Sequence, residues 1–333
     1  MRDILGINQI LDRTYFLYQK NIKSFLGYTA VMLMLCAIMM YGIFFVISII
    51  FVIIFIIGIA ITGSGSGNIL AGSMGSFNNA IVWAIVIYVG IIVIMIFASS
   101  VMKLIAAGPV NAVEAARNRN KITFGEMFTY SFKKMLYVIT STLAYYIVLC
   151  GIAIIGVAIY LLNFVAWLQN ASIEMNIIVG AFIGFIVCIV SLWFGVKGAF
   201  YLQVALCEKK HFFRAITGSF RLVKGQFIRT FGNLFSVILS YFVVYLSLGG
   251  LISLIVNFLP MLLQDREGTG IFAVVILIQM AMMLFQFVLS IVITPIQYIA
   301  VPLIYFNERN RKYGDDLHYK IDKLIHIQKS VLK

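Results

Sequence analysis

Six long apolar stretches divide this 333-residue chain, and its lysines and arginines fall almost entirely into alternate gaps between them. Of 25 such residues, only Arg266 lies in a gap of the other set. Segments rich in Lys and Arg resist translocation, so the pattern predicts six membrane spans with the basic gaps and both termini on the cytoplasmic side. The stretches run from about Ser24 to Ile61, Ala80 to Ala107, Met135 to Leu168, Ile177 to Cys207, Phe227 to Leu263 and Ile271 to Phe306. Each exceeds the roughly 20 residues that a bilayer core requires.

A charged content of 11% against 62% hydrophobic residues excludes a soluble domain, where about a quarter of residues are charged. The first stretch is long enough for two spans, but it offers only Gly42 near its middle and no polar turn. A reversal there would also place the basic N-terminal segment outside. Tilt or protrusion absorbs the excess length instead. The same stretch is too long for a signal-peptide core and is expected to remain as a span. Cys36, Cys150, Cys188 and Cys207 lie within or at the ends of apolar runs without CxxC spacing, which argues against a disulfide framework or a metal site.

Before the first, third and fifth spans, apolar residues recur at one uneven helical spacing. The series are Ile7, Leu11, Tyr15, Tyr18, Ile22; Phe124, Phe128, Phe132, Met135, Ile139; and Phe212, Ile216, Phe220, Val223, Phe227. At about 100° per residue each series keeps to one arc of a helix. Arg13 and Lys20, then Lys133, then Arg214, Arg221 and Lys224 lie broadly opposite. The pattern predicts three basic amphipathic helices at the cytoplasmic interface, with these six cations on anionic headgroups. The alternative is that the stripes pack on the protein's own spans. Each such helix precedes two spans, so the all-α chain parses into three repeats, about 1–107, 122–207 and 211–306, with a tail at 307–333. An acid followed by bases, at Glu114, Glu208 and Glu308, marks the end of each repeat.

Chemistry is hard to place in this sequence. A proton-coupled carrier needs a mid-membrane acid or histidine, and an intramembrane metalloprotease needs ligands on its helices. Lys103 and Lys197 are near enough to the cytoplasmic ends to snorkel. No GxxxxGK[ST] loop is present. The reading is therefore a non-enzymatic protein without a cofactor or metal. Asn163, Gln279 and Gln286 are the polar span residues placed to line a cavity or join helices, the two glutamines sharing one face. Pro295 and Pro302 predict a kinked or broken sixth helix. Trp83 and Trp167 are expected as outer-interface anchors.

The segments Ile10-Leu-Asp-Arg-Thr-Tyr-Phe-Leu-Tyr-Gln-Lys-Asn and Pro302-Leu-Ile-Tyr-Phe-Asn-Glu-Arg-Asn-Arg-Lys-Tyr-Gly-Asp-Asp-Leu resemble the two ends of the bacterial glycerophosphoryl diester phosphodiesterase membrane domain family. Asn307 and Asn310 depart from its pattern. The resemblance implies the six-helix plan and a bacterial cytoplasmic membrane. The family's phosphodiesterase chemistry resides in a separate soluble barrel, for which no segment here is long enough. The expected role is lipid-associated or transport-associated, with anionic lipids as partners and nucleic acid excluded. The alternatives are an exporter of a small solute or peptide and an accessory or immunity subunit of another membrane protein. After Arg309, Arg311 and Lys312, a short helix carrying Leu317, Ile321, Leu324 and Ile325 is expected in the tail.

Overall fold

The computed structural model describes residues 5–63, 90, 94–116, 122–170, 173–250 and 269–314. It contains helices α1 (Ile7–Lys20), α2 (Ile22–Gly63), α3 (Ile94–Ala116), α4 (Phe124–Lys133), α5 (Met135–Asn170), α6 (Ile173–Gly198), α7 (Tyr201–Cys207), α8 (Phe213–Val223), α9 (Phe227–Tyr245) and α10 (Thr269–Tyr313). Among the described residues there is no strand, and six helical segments are long and apolar enough to cross a membrane. The protein is a polytopic all-α membrane protein. α2 passes Gly42 without interruption, so the chain does not reverse there. At 42 and 45 residues, α2 and α10 are each more than 60 Å long at about 1.5 Å per residue, which requires tilt or protrusion.

Local sequence sets the short helices that precede the spans. Thr123 and Glu126 form a reciprocal cap on α4: the Glu126 N–H donates to Thr123 Oγ1 and the Thr123 N–H to Glu126 Oε2, both at 3.4 Å. Between α1 and α2, Asn21 turns the chain and ties down its neighbour. Its Nδ2 donates to Leu17 O at 3.2 Å and its Oδ1 accepts the Ile122 N–H at 3.2 Å.

The packed core lies where these short helices meet the span ends. α3 is its centre, with 56% of its span buried against 6% for the fourth span, and it packs on α2, α4 and α10. Further along, Ile154, Phe182, Phe185, Leu277 and Leu284 are exposed, an outer surface that suits hydrocarbon.

The helices that return to the basic end outlast the apolar runs. α3 continues past Ala107 to Ala116, and α10 past Phe306 to Tyr313. α3 contains a 3₁₀ turn at Lys103–Ala106, and the fourth span breaks between α6 and α7. α10, in contrast, stays helical through Pro295 and Pro302. The helix is therefore not broken there, and each proline removes one hydrogen bond from its ladder. The side chains of Asn163 and Trp167, and Trp83, Arg266 and the predicted tail helix, lie outside the described residues and side chains.

Candidate functional site: the basic end of the bundle

The three short helices turn a different arc inward from the one that apolar spacing selects. α1 buries Ile10, Thr14, Leu17 and Tyr18; α4 buries Met127 and Ser131; α8 buries Ala215, Ile216, Ser219, Leu222 and Val223. Of the predicted stripes, Tyr18, Ile216 and Val223 face the core, whereas Tyr15, Ile22, Phe124, Phe132 and Phe212 are exposed. A hydroxyl residue sits at the centre of each inward arc: Thr14, Ser131 and Ser219, each seven positions after the start of its stripe. Hydropathy treats such residues as polar, but each hydroxyl is satisfied. Thr14 donates to Ile10 O at 2.8 Å, Ser131 contacts the Tyr28 hydroxyl at 2.7 Å, and Ser219 donates to Lys197 O at 2.7 Å.

Hydroxyls from neighbouring elements also serve the interruptions of the returning helices. Tyr28 Oη donates to Leu104 O at 2.9 Å and accepts the Gly108 N–H at 3.1 Å, standing between two groups that an unbroken α-helix would pair. A side chain inserted into the ladder is a recognised cause of a kink. Ser219 does the same at the α6–α7 break, donating to Lys197 O and accepting the Phe200 N–H at 3.1 Å. Near Pro295 in α10, the Tyr18 hydroxyl donates to Val292 O at 2.9 Å. Glycine makes the Tyr28 approach possible, since a Cβ on Gly108 would lie 2.4 Å from Tyr28 Cζ, and beside the α6–α7 break a Cβ on Gly198 would lie 2.5 Å from Tyr145 Cε2.

The end of α10, where the sequence shows an acid followed by bases, is a polar hub. Glu308 is only 1% exposed. Its Oε1 accepts from Asn233 Nδ2 at 3.3 Å, while Oε2 has no hydrogen-bond partner among the described residues. Arg229 and Arg311 lie within electrostatic range of this carboxylate. Asn307 clamps the N-terminal segment by accepting the Leu5 N–H at 2.8 Å and donating to Leu5 O at 3.1 Å, and Arg311 adds a bond to the same carbonyl at 3.1 Å. Lys312 Nζ donates to Leu222 O at 3.2 Å, Lys224 O at 3.0 Å and also Arg221 O, capping the C-terminus of α8. The hub was missed because Asn, Glu and Arg next to an apolar run read as solvated. The departures at Asn307 and Asn310 from the resembled pattern were the available signal, and Asn310 is also buried.

Around the rim, Lys20, Lys133, Arg214, Arg221 and Lys224 are exposed, and Arg13 is half-buried. Exposed aromatics adjoin them in the chain: Phe16, Phe132, Phe212 and Phe213. Lys20 Nζ sits 5.6 Å from the centroid of the Phe16 ring. Lys197 rests over Trp193 at 3.9 Å. Gln279 and Gln286 are both exposed on α10. Burial raises the Tyr18 and Tyr130 phenols above their ordinary range. Among the described residues, no cluster of His, Cys, Asp and Glu is arranged to hold a metal. No protein-family model matches the chain, and neither a curated protein nor a solved structure shows detectable similarity to it.

Proposed function

We propose that this chain is a non-enzymatic module of a bacterial cytoplasmic membrane, its basic end toward the cytoplasm, that associates with anionic lipid through the rim of its three short helices. One observation carries the reading: exposed cations adjoin exposed phenylalanines on all three helices, at Phe16 and Lys20, Phe132 and Lys133, and Phe213 and Arg214. Exposed aromatics beside cations suit a headgroup boundary, where the ring meets the acyl region and the charge meets phosphate. The resemblance of the two end segments to phosphodiesterase membrane domains agrees with such a module.

Native mass spectrometry in mild detergent tests the proposal. The variant Arg13→Gln/Lys20→Gln/Lys133→Gln/Arg214→Gln/Arg221→Gln/Lys224→Gln is expected to lose most of the anionic lipid retained by the wild type, since a well-placed cation contributes about 1 kcal/mol. Unchanged retention refutes it.

A second reading is an accessory subunit, favoured by Gln279 and Gln286. Two outward amides seven residues apart on a span are costly against hydrocarbon and suited to a partner helix. Co-purification of a stoichiometric membrane protein, lost in Gln279→Leu/Gln286→Leu, would establish this alternative.

A further inference from the structure

Like charges crowd the rim where the end of α4 meets the loop between α7 and α8. Tyr137 organises the corner: Lys134 Nζ lies 4.9 Å from its ring centroid, and the His211 ring stacks on it with centroids 3.9 Å apart. Lys209 and Lys133 are within electrostatic range of Lys134, whose pKa is lowered first by burial and then by Lys209. Lys209, Lys210, His211, Phe212, Phe213 and Arg214 line a shallow concavity beside it.

Among the described residues, the acids do not neutralise this group. Glu208 is engaged by Lys210 at 2.6 Å and by the Tyr305 hydroxyl at 3.0 Å. Glu114 is the other acid within electrostatic range of Lys134. Among the described residues, neither Lys134 nor Lys209 has an acid at ion-pair distance. Cations held together by a short loop and an aromatic ring repel one another unless an anion sits among them. The loop adds strain, because Lys209 and Phe212 adopt φ of 54° and 51°, a region side chains rarely occupy.

We propose that Lys134, Lys209, His211 and Arg214 form a binding site for a phosphomonoester group carried by a membrane lipid. A phosphomonoester brings about −1.5 to −2 charges and three acceptor oxygens, whereas a phosphodiester brings one charge. Several donors converging from α4, the loop and α8 match the former. The neighbouring exposed Phe212 and Phe213 offer an apolar margin for acyl chains. The site rests on the lipid-associated reading and makes it selective.

The test is native mass spectrometry of the full chain with equimolar phosphatidic acid and phosphatidylglycerol. The wild type should prefer the monoester by about tenfold, the equivalent of one charge-assisted hydrogen bond. In Lys134→Gln/Lys209→Gln the preference should fall to near parity. Lys134→Arg/Lys209→Arg should keep it, as should Lys23→Gln at a distant exposed cation. Lys209 and Lys23 are exposed and Lys134 is half-buried, and an unchanged melting temperature will confirm folding. Equal retention of the two lipids by the wild type, or a preference that survives Lys134→Gln/Lys209→Gln, would overturn the site. Displacement by glycerol 3-phosphate at matched concentration would reassign it to a soluble ligand. Anionic lipid retained without monoester preference defeats this site alone, whereas no anionic lipid retained at all defeats the broader function.

Discussion

Replacing Gly108 with alanine isolates the contact that shapes the central span. Alanine in place of glycine within a helix ordinarily stabilises by about 0.5–1 kcal/mol. At Gly108 the new methyl would meet Tyr28 Cζ at 2.4 Å and the two Cε atoms at 2.7 and 2.8 Å. The ring has nowhere to retreat: Tyr28 is fully buried, and its hydroxyl is held by Leu104 O, the Gly108 N–H and Ser131. Overpacking of this kind costs about 1–3 kcal/mol. A ring shift that relieves it would loosen hydrogen bonds worth about 1 kcal/mol each. The net expectation is destabilisation of about 2–3 kcal/mol. Gly151, within α5 with no atom within 4 Å of its hypothetical Cβ, is the control, and Gly151→Ala should stabilise by about 0.5–1 kcal/mol. Thermal denaturation in detergent, followed by helical circular dichroism, should place Gly108→Ala about 3–4 °C below wild type and Gly151→Ala at or slightly above it. If Gly108→Ala melts with or above Gly151→Ala, the inserted-hydroxyl account of α3 is wrong.

Three further outcomes follow from the polar end. Lys312→Met removes the donor to the last carbonyls of α8, and hydrogen exchange should accelerate at residues 221–225, with a loss of about 1–2 kcal/mol. Asn307→Leu keeps the side-chain volume but abandons both Leu5 backbone groups; limited proteolysis should then cut near the N-terminus faster, and unchanged cleavage would show that the clamp is not needed. The raised phenols of Tyr18 and Tyr130 make the folded state the better proton holder above the ordinary value near 10. Stability should be unaffected by these groups below that pH and fall as pH climbs beyond it, with Tyr18→Phe flattening the decline in melting temperature between pH 9 and 11.

Span number and class were readable because charge asymmetry and apolar length act over tens of residues, and no local detail disturbs them. The inward arcs of the short helices were not. Apolar spacing selected Tyr15, Phe124 and Phe132, whereas burial follows Thr14, Ser131 and Ser219, small hydroxyls that a core accepts when their one proton finds a carbonyl. The burial of Glu308 escaped notice for a related reason. A lone sequence shows an acid after an apolar run, but not that Asn233 and Arg229 arrive from α9 to join Arg311 of its own helix around it. The cations at the rim were legible individually, since positive charge at this end was predicted. Their convergence on Tyr137 required residues 134 and 211 to be brought together by the fold.

The hydrogen bonds also bear on whether the three units expected from the sequence are separable pieces. In the first unit the break in α3 is served by its own Tyr28, but Tyr28 is in turn held by Ser131 of the second. The break between α6 and α7 in the second unit is served by Ser219 of the third. The proline-bearing helix of the third receives Tyr18 from the first, and Asn307 at its end grips Leu5. The Leu5 backbone groups of the first unit and the Phe200 N–H of the second therefore take their partners from another unit, at about 1–3 kcal/mol per orphan, and the Val292 carbonyl of the third receives an added donor from the first. Chains cut between the units should not form stable bundles on their own, while co-expressed pieces should reassemble through these same bonds. A stable, monomeric 122–333 fragment with native helix content would refute that dependence, because it would leave Val292 O without Tyr18 and Asn307 without Leu5.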